Sequence, residues 1–191
     1  MKSKSGAINK LSKKSTHSDS SMSLNKTRLE AAKKSLDDGA VTPSIKPYAK
    51  QIVSLLQDAL ATEWVCVLRY RRHHFTAKGM SSPAIAAEFM VHATEESAHA
   101  DLLAERIVQL GGAPDLNPNS LVARSHADYD DSLDLKSMIR ANLVAERVAI
   151  ESYRQMIELI GDNDTTTRKM LEGILADEEE HADEMADLLD R

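Results

Sequence analysis

Apolar residues recur every three or four positions along four long stretches of the chain, and this spacing is typical of amphipathic helices. The pattern predicts helices over residues 48–77, 83–110, 132–160 and 165–189. Glycine follows each of the first three predicted helices, at Gly79, Gly111 and Gly161, as is common at helix ends. Few glycines, prolines and aromatic residues leave little material for strands, so the fold class is expected to be all-α.

The connections between these helices predict their arrangement. The first and third connections are short, which makes the helices that they join antiparallel neighbours. The connection over 113–131 has about 20 residues and a weak apolar pattern, so it is long enough to run along a bundle. We therefore expect a four-helix bundle with one long crossover between its second and third helices.

The N-terminal part of the chain differs from the rest in charge. Residues 1–47 contain ten lysines and arginines against four acids, whereas the whole chain carries a net charge of −6. Residues 1–24 are rich in serine and lysine without an apolar period, so we expect a flexible basic tail over 1–47 and one bundle domain over 48–191. The tail could aid solubility, contact DNA or dock in an assembly. Because no aromatic residue precedes Tyr48, DNA contact would be made through phosphates.

Cysteine content and hydropathy exclude several classes of protein. Cys66 is the single cysteine, so the chain cannot form an internal disulfide or a thiolate metal site. No apolar run approaches the ~20 residues of a membrane span, and the first 40 residues lack the apolar core of a secretory signal. We therefore expect a cytoplasmic protein with no membrane partner.

Two Glu-x-x-His motifs lie on predicted helices. Glu96 and His99 lie on the second helix, and Glu178 and His181 lie on the fourth. The three-residue spacing places both side chains of each motif on one helix face. Both segments read acid-Glu-x-x-His-Ala-Asp. One such spacing is usually a solvated pair, but two matched copies indicate a shared role.

The first and third predicted helices also match each other. Glu63 lies in an apolar stretch with Tyr70 seven residues later, and Glu146 lies in another with Tyr153 seven residues later. The equivalent positions of the two helical hairpins are 82 or 83 residues apart. The chain therefore has the pattern of a duplicated hairpin.

Four glutamates and two histidines facing one bundle interior need compensation for their lost hydration. Two divalent cations would cancel the four negative charges, and carboxylate oxygen with imidazole nitrogen suits iron or manganese. The alternative is a metal-free interior in which Arg147 or Arg69 pairs with the glutamates. The nearby His92 and Glu95 are expected to face solvent as a pair, although they could also form an auxiliary iron site.

This pattern resembles the ligand set of ferritin-like di-iron carboxylate proteins, most closely bacterioferritins, over about residues 48–190. The resemblance implies two iron ions per chain and names six ligands: Glu63, Glu96, His99, Glu146, Glu178 and His181. Glu96 and Glu178 would bridge the two ions. Each remaining Glu would complete one site with the His of its own hairpin. The implied reaction is oxidation of Fe(II) to Fe(III) by O2 or H2O2.

The resemblance also carries expectations about the surroundings of the centre. It implies that Tyr70, beside Glu63, makes a hydrogen bond near the metals. Tyr70 and Tyr153 could each lie next to the metal ligands, or equally be core tyrosines whose hydroxyls are satisfied elsewhere. Bacterioferritins bind haem through a methionine directly after the first Glu of this motif. Here that residue is Ser97, so no haem is expected by that route.

The oligomer and the overall function stay open at this point. The sequence ends ten residues after His181, without the short fifth helix that helps to close large ferritin shells, so the homo-oligomer could range from a dimer to a Dps-like or ferritin-like shell. Iron oxidation with iron storage is the first expectation. The alternatives are a Dps-like protein that protects DNA through its basic tail, and a rubrerythrin-like di-iron oxidase or peroxidase without storage.

Overall fold

The computed structural model describes residues 22–189, and helices make up all the regular structure of these residues. The four long helices are α2 (Lys46–Thr76), α3 (Ser82–Gln109), α5 (Leu135–Ile160) and α6 (Thr165–Leu189). Two short helices, α1 (Lys26–Ala32) and α4 (Pro118–Arg124), and a 3-10 helix at Leu36–Asp38 complete the set. The four predicted helices are confirmed, and each end lies within three residues of the predicted position.

The bundle is built from two antiparallel hairpins. α2 packs along α3 and α5 packs along α6, while contacts of α2 with α5 and of α3 with α6 join the hairpins. One apolar cluster contains Leu56, Leu103 and Leu171, and another contains Phe89 and Met185. Both Glu-x-x-His motifs lie along α3 and α6 between these two clusters. The interior is therefore apolar at both ends and polar in the middle.

The segment between α3 and α5 runs along α2, which confirms the predicted crossover. At the end of α4, Arg124 Nη1 donates a hydrogen bond of 2.8 Å to the backbone carbonyl of Gln57. Near the end of the segment, Asp130 Oδ1 lies 3.2 Å from Nε2 of the buried His73, about four and a half helical turns further along α2. Between these points Leu121 of α4 packs on the surface of α2. The crossover thus covers one side of the helix that carries the first predicted ligand.

Part of the predicted tail has regular structure. Residues 1–21 lie outside the described residues, but α1 and the 3-10 helix lie within the range expected to be a tail. Asn25 caps α1, because its side-chain oxygen accepts a 3.1 Å hydrogen bond from the backbone N–H of Arg28. Val41 and Ile45 pack against the apolar core. The charge pattern did not reveal these contacts, since isolated apolar residues in a basic segment have no helical period.

The apolar stretch of α2 is longer than the sequence analysis expected. By length and composition alone, this helix could cross a membrane. In the structure 56% of that stretch is buried inside the protein. The bundle core therefore accounts for its apolar side chains.

A buried ion pair holds the start of α6. The carboxylate of Asp164 accepts hydrogen bonds of 3.2 and 3.0 Å from the backbone N–H groups of Thr166 and Thr167. The same carboxylate lies 2.7 Å from Nη2 of Arg106 on α3. Asp164 thus caps α6, and it also ties the two hairpins together.

We expect Asp164→Ala to lower the free energy of unfolding by about 2–3 kcal/mol, because it removes the cap and leaves the Arg106 guanidinium without its buried partner. Asp162→Ala is the matched control, since the side chain of Asp162 is 93% exposed and its pair with Arg168 lies at the surface. Urea unfolding of both variants measures the difference. Equal losses in the two variants would contradict the role given to Asp164.

Candidate metal centre

All six predicted ligand residues lie inside the bundle. α2 and α5 each contribute one glutamate, and α3 and α6 each contribute one Glu-x-x-His motif. None is more than 4% exposed. The residues are Glu63, Glu96, His99, Glu146, Glu178 and His181. Such burial of charged side chains requires strong compensation.

The six residues form two groups that share two members. The first group is Glu63, Glu96, His99 and Glu178, and the second is Glu96, Glu146, Glu178 and His181. Within each group, one donor atom of every residue lies within 4.8 Å of the others. Glu96 and Glu178 belong to both groups, so the two groups are neighbours that share two carboxylates and could each hold a cation.

Both histidines point the same ring nitrogen into the centre. Nδ1 of His99 lies 3.3 Å from Oε2 of Glu96, and its Nε2 lies 3.1 Å from Oδ2 of Asp177. In the same way, Nε2 of His181 lies 3.0 Å from Oε2 of Glu95. A carboxylate on the outer nitrogen favours a proton there and leaves a lone pair on the inner nitrogen. Each imidazole is therefore oriented to bind a cation through Nδ1.

The sequence alone did not predict that Asp177 and Glu95 contact and orient the two histidines. Each directly precedes the glutamate of one motif, and each contacts the histidine of the other motif across the bundle. The repeated acid before Glu-x-x-His was the available signal. The expectation that His92 faces solvent with Glu95 was wrong for His92, which is fully buried. It precedes Glu96 by four residues, so it lies on the same inward face of α3.

Both tyrosines are buried, and each donates a hydrogen bond to the glutamate of the other hairpin. Tyr70 donates a short hydrogen bond to Glu146, and Tyr153 donates a short hydrogen bond to Glu63. The resemblance had placed Tyr70 beside Glu63 of its own helix. Seven residues span about 10 Å along a helix, so each tyrosine reaches the glutamate of the facing helix instead. One oxygen of each outer glutamate is thereby held in place.

Several buried polar atoms of the centre have no hydrogen-bond partner among the described residues. They are Oε2 of Glu63, Oε1 of Glu96, Oε2 of Glu146, both carboxylate oxygens of Glu178, and Nδ1 of His181. An unsatisfied buried polar group costs about 1–3 kcal/mol, and more when it is charged. The nearest possible donors to these oxygens are the two imidazoles: Nδ1 of His99 lies 3.3 Å from Oε1 of Glu178, and Nδ1 of His181 lies 3.7 Å from Oε1 of Glu96. A purely structural role for four buried carboxyl groups would need more donors than these two. The donor set fits divalent cations that accept oxygen and imidazole nitrogen.

The two arginines of the metal-free alternative do not neutralise these atoms. Arg147 is exposed. Arg69 is fully buried, but its Nε donates 2.9 Å to the side-chain oxygen of Asn142 and its Nη1 donates 3.2 Å to the backbone carbonyl of Asp128. Within residues 22–189, neither arginine forms an ion pair with the four central glutamates.

Comparison with known proteins identifies the family. A model of the ferritin-like domain matches residues 53–191, a range that includes all but the first turns of the bundle. The chain belongs to this ferritin-like family. Its four long helices and single crossover are the ferritin-like architecture.

Three relatives show which ferritin-like proteins this chain is similar to. The nutrient stress-induced DNA-binding protein of Synechococcus is 32% identical over 73% of this chain and 81% of its own length. The bacterioferritin of Desulfovibrio desulfuricans is 26% identical over 69% of this chain and 70% of its own length. The solved structure of a dodecameric, bacterioferritin-related thioferritin from Bacteroides fragilis is 32% identical with a TM-score of 0.71, and the match covers 74% of this chain and 85% of that one.

Burial among like charges makes the metal-free ferritin-like centre hold protons. Burial, followed by the charge of Glu96, raises the pKa of Glu63 to about 8. The same two causes raise the pKa values of Glu146 and Glu178. For Glu96 burial acts the same way, but the adjacent imidazoles of His181 and His99 outweigh it and lower the pKa. Cations that bind here would therefore displace protons.

We expect Asp177→Asn to weaken divalent-cation binding at the centre by about 10- to 100-fold, because His99 loses the carboxylate that orients its ring and fixes its tautomer. Asp183→Asn removes the same charge from an exposed position of α6 and serves as the control. Anaerobic Co(II) titration followed by absorbance measures the affinity. Affinities that fall equally in both variants would point to general electrostatics instead of ring orientation.

Proposed function

We propose that this protein binds Fe(II) at a dinuclear centre within each chain, oxidises it to Fe(III) and sequesters the product. One observation carries the proposal. Two buried groups of donors share Glu96 and Glu178, and six of their polar atoms lack any hydrogen-bond partner among the described residues. A bundle without cations would have to keep these atoms buried and unsatisfied.

The proposal gives each residue a role. Glu96 and Glu178 would bridge the two ions, Glu63 and His99 would complete one site, and Glu146 and His181 would complete the other. Two adjacent Fe(II) ions can supply two electrons to one molecule of O2 or H2O2. The residues of the chain contribute position and charge. Asp177 and Glu95 orient the histidines, while Tyr70 and Tyr153 hold one oxygen of each outer glutamate.

The comparisons support this proposal at the level of the family. Bacterioferritin relatives favour iron as the substrate, whereas the ligand set alone also accepts manganese. A dodecameric relative favours a closed homo-oligomeric shell, which would allow storage of the ferric product. A dimer would enclose no cavity and would favour an oxidase or peroxidase without storage.

An anaerobic Fe(II) titration of the metal-free protein, followed by controlled oxidation and desalting, tests the proposal. At least two tightly bound Fe(II) per chain are expected before oxidation, two of them at the dinuclear centre. Retention of tens of irons per chain would support a mineral-storing shell, and retention near two would support the oxidase without storage. No stoichiometric Fe(II) binding would contradict the proposal and favour manganese, which a parallel Mn(II) titration would detect.

A second candidate function is DNA protection through the basic N-terminal residues. Two observations favour it: the basic charge of residues 1–47 and the DNA-binding relative from Synechococcus. Phosphate contacts through lysines would make DNA retention strongly dependent on salt.

The test replaces the five lysines that lie before the described residues with glutamine, which leaves the packed segment that contains Val41 and Ile45 unchanged. These lysines are Lys2, Lys4, Lys10, Lys13 and Lys14. DNA retention by the unmodified protein at low salt, lost in the variant, would support this function. Equal retention of DNA by both proteins would mean that these lysines do not bind DNA. The basic charge of the N-terminal residues would then no longer support this function.

A further inference from the structure

A second cluster of metal-binding side chains lies against the dinuclear centre. His92 of α3 is fully buried, and its Nε2 lies 2.8 Å from Oε2 of Glu184 on α6 and 3.6 Å from Oε1 of Glu88 one turn earlier on α3. The His92 ring stacks on the ring of His181, with centroids 4.1 Å apart and planes at 22°. The two glutamates are only half-buried, so the cluster connects the centre with the protein surface.

The hydrogen bonds around His92 determine which of its nitrogens carries a proton. Nδ1 of His92 lies 3.0 Å from the Tyr70 hydroxyl, which donates its single proton to Glu146. When Glu146 binds a cation as a carboxylate, it has no proton to return. The tyrosine oxygen must then accept a proton from His92 Nδ1.

A neutral imidazole with its proton on Nδ1 has a lone pair on Nε2. That lone pair faces the Glu184 carboxylate across 2.8 Å, with Glu88 nearby. When Glu146 holds a cation, three acceptors therefore converge there without a proton between them. A second proton on the ring would place a positive charge on a buried side chain stacked against a metal-binding histidine. A divalent cation satisfies all three groups instead.

The cluster breaks the internal symmetry of the chain. The offset of 82 residues that relates the two Glu-x-x-His motifs pairs His92 with Ile174, Glu88 with Met170, and Glu184 with Leu102. All three counterparts are apolar, and both Ile174 and Met170 pack in the core. The duplicated hairpin therefore has polar donors at one end of the centre and apolar side chains at the other. Packing of the helices does not require this difference, since the other half places apolar residues at the same positions.

We infer that His92, Glu184 and Glu88 form a third divalent-cation site, from which a cation reaches the dinuclear centre past Glu95 and His181. Donor atoms of His92, Glu95 and His181 also lie within 4.8 Å of one another, so the donors are continuous from the third site to the centre. This inference deepens the proposed function and relies on Glu146 as a metal-binding carboxylate.

Anaerobic Co(II) binding to the metal-free full-length protein, measured by equilibrium dialysis and metal analysis, tests the inference. We expect three tightly bound Co(II) per chain in the unmodified protein. His92→Ile, which copies the counterpart position, and Glu184→Gln should each bind two. The control Asp183→Asn removes a charge from the adjacent, exposed position and should bind three. Circular dichroism confirms that each variant folds.

The outcomes separate this inference from the proposed function. Two Co(II) in the unmodified protein and two in His92→Ile would overturn the third site and leave the dinuclear centre intact. Three in both proteins would also overturn it, because the third ion would then bind elsewhere. One in the unmodified protein and none in His92→Ile would support the third site and contradict the dinuclear centre. A loss of one ion in Glu184→Gln supports the assignment even where His92→Ile fails to fold.

Discussion

Glu178→Ala is expected to slow Fe(II) oxidation by about 100-fold or more, which removes the fast phase of the reaction. Glu178 belongs to both donor groups, and both of its carboxylate oxygens lack a hydrogen-bond partner among the described residues. Its removal therefore takes a ligand from both cation positions at once. Stopped-flow absorbance of Fe(III) formation after mixing with O2 measures the rate. Glu180→Ala, two residues later on the exposed side of α6, is the control and should oxidise Fe(II) at the unmodified rate.

The stability of the same variant distinguishes a metal-binding role of Glu178 from a role in the fold. If Glu178 served the fold, its removal would lower the melting temperature of the metal-free protein. The proposed function predicts the opposite direction, because alanine removes a buried carboxyl group whose pKa is raised by burial and by the charge of Glu96. A metal-free Glu178→Ala protein that is as stable as the unmodified chain, or more stable, supports the metal-binding role. Unmodified oxidation rates would refute the bridging role.

The sequence could predict which residues meet because their spacing is set by the helix. A glutamate and a histidine three residues apart must share a face, and two matched hairpins must place their faces at the same level of the bundle. For this reason all six candidate ligands lie together in the structure. Helix spacing does not tell which neighbouring helix a side chain reaches. Tyr70 therefore lies next to Glu146 instead of Glu63. In the same way, Asp177 and Glu95 each contact the histidine of the other motif, His99 and His181 respectively.

At two further places the structure differs from what the sequence predicted, for different physical reasons. His92 was expected at the surface because a histidine beside acids usually is, but its position four residues before Glu96 puts it on the buried face. Val41 and Ile45 were assigned to a tail because the charge of residues 1–47 dominates their composition. Their packing depends on the surface that α2 presents after folding, which no local pattern records.

The metal-free protein is expected to lose stability as the pH rises from about 5 to 9. Burial and the charge of Glu96 raise the pKa of Glu63 to about 8 and also raise the pKa values of Glu146 and Glu178. In the unfolded chain these groups lose their protons near the usual glutamate pKa of 4.5. Above that pH, unfolding releases protons, so the free energy of unfolding falls as the pH rises toward the folded pKa values.

The two histidines act in the same direction. Burial opposes the charged form of His181, but the adjacent carboxylate of Glu96 outweighs it and raises the pKa from 6.5 to about 9. Burial is likewise outweighed at His99, where the adjacent carboxylates of Glu178, Glu63 and Glu96 raise the pKa. The stability that these groups provide is fully present below pH 6.5 and is lost as the pH rises through their folded values.

Together these groups should lower the free energy of unfolding of the metal-free protein by several kcal/mol between pH 5 and pH 9. Urea unfolding at several pH values in the presence of a chelator measures the slope, and Glu63→Gln should reduce it because one titrating group is removed. Saturating Co(II) should reverse the slope, since cations displace protons from the centre and bind more tightly at higher pH. A stability that is independent of pH over this range would mean that the buried carboxyl groups and histidines exchange protons with one another without net release on unfolding. The charges of the centre would then be balanced before any cation binds. Its unsatisfied atoms would no longer support a metal-binding role.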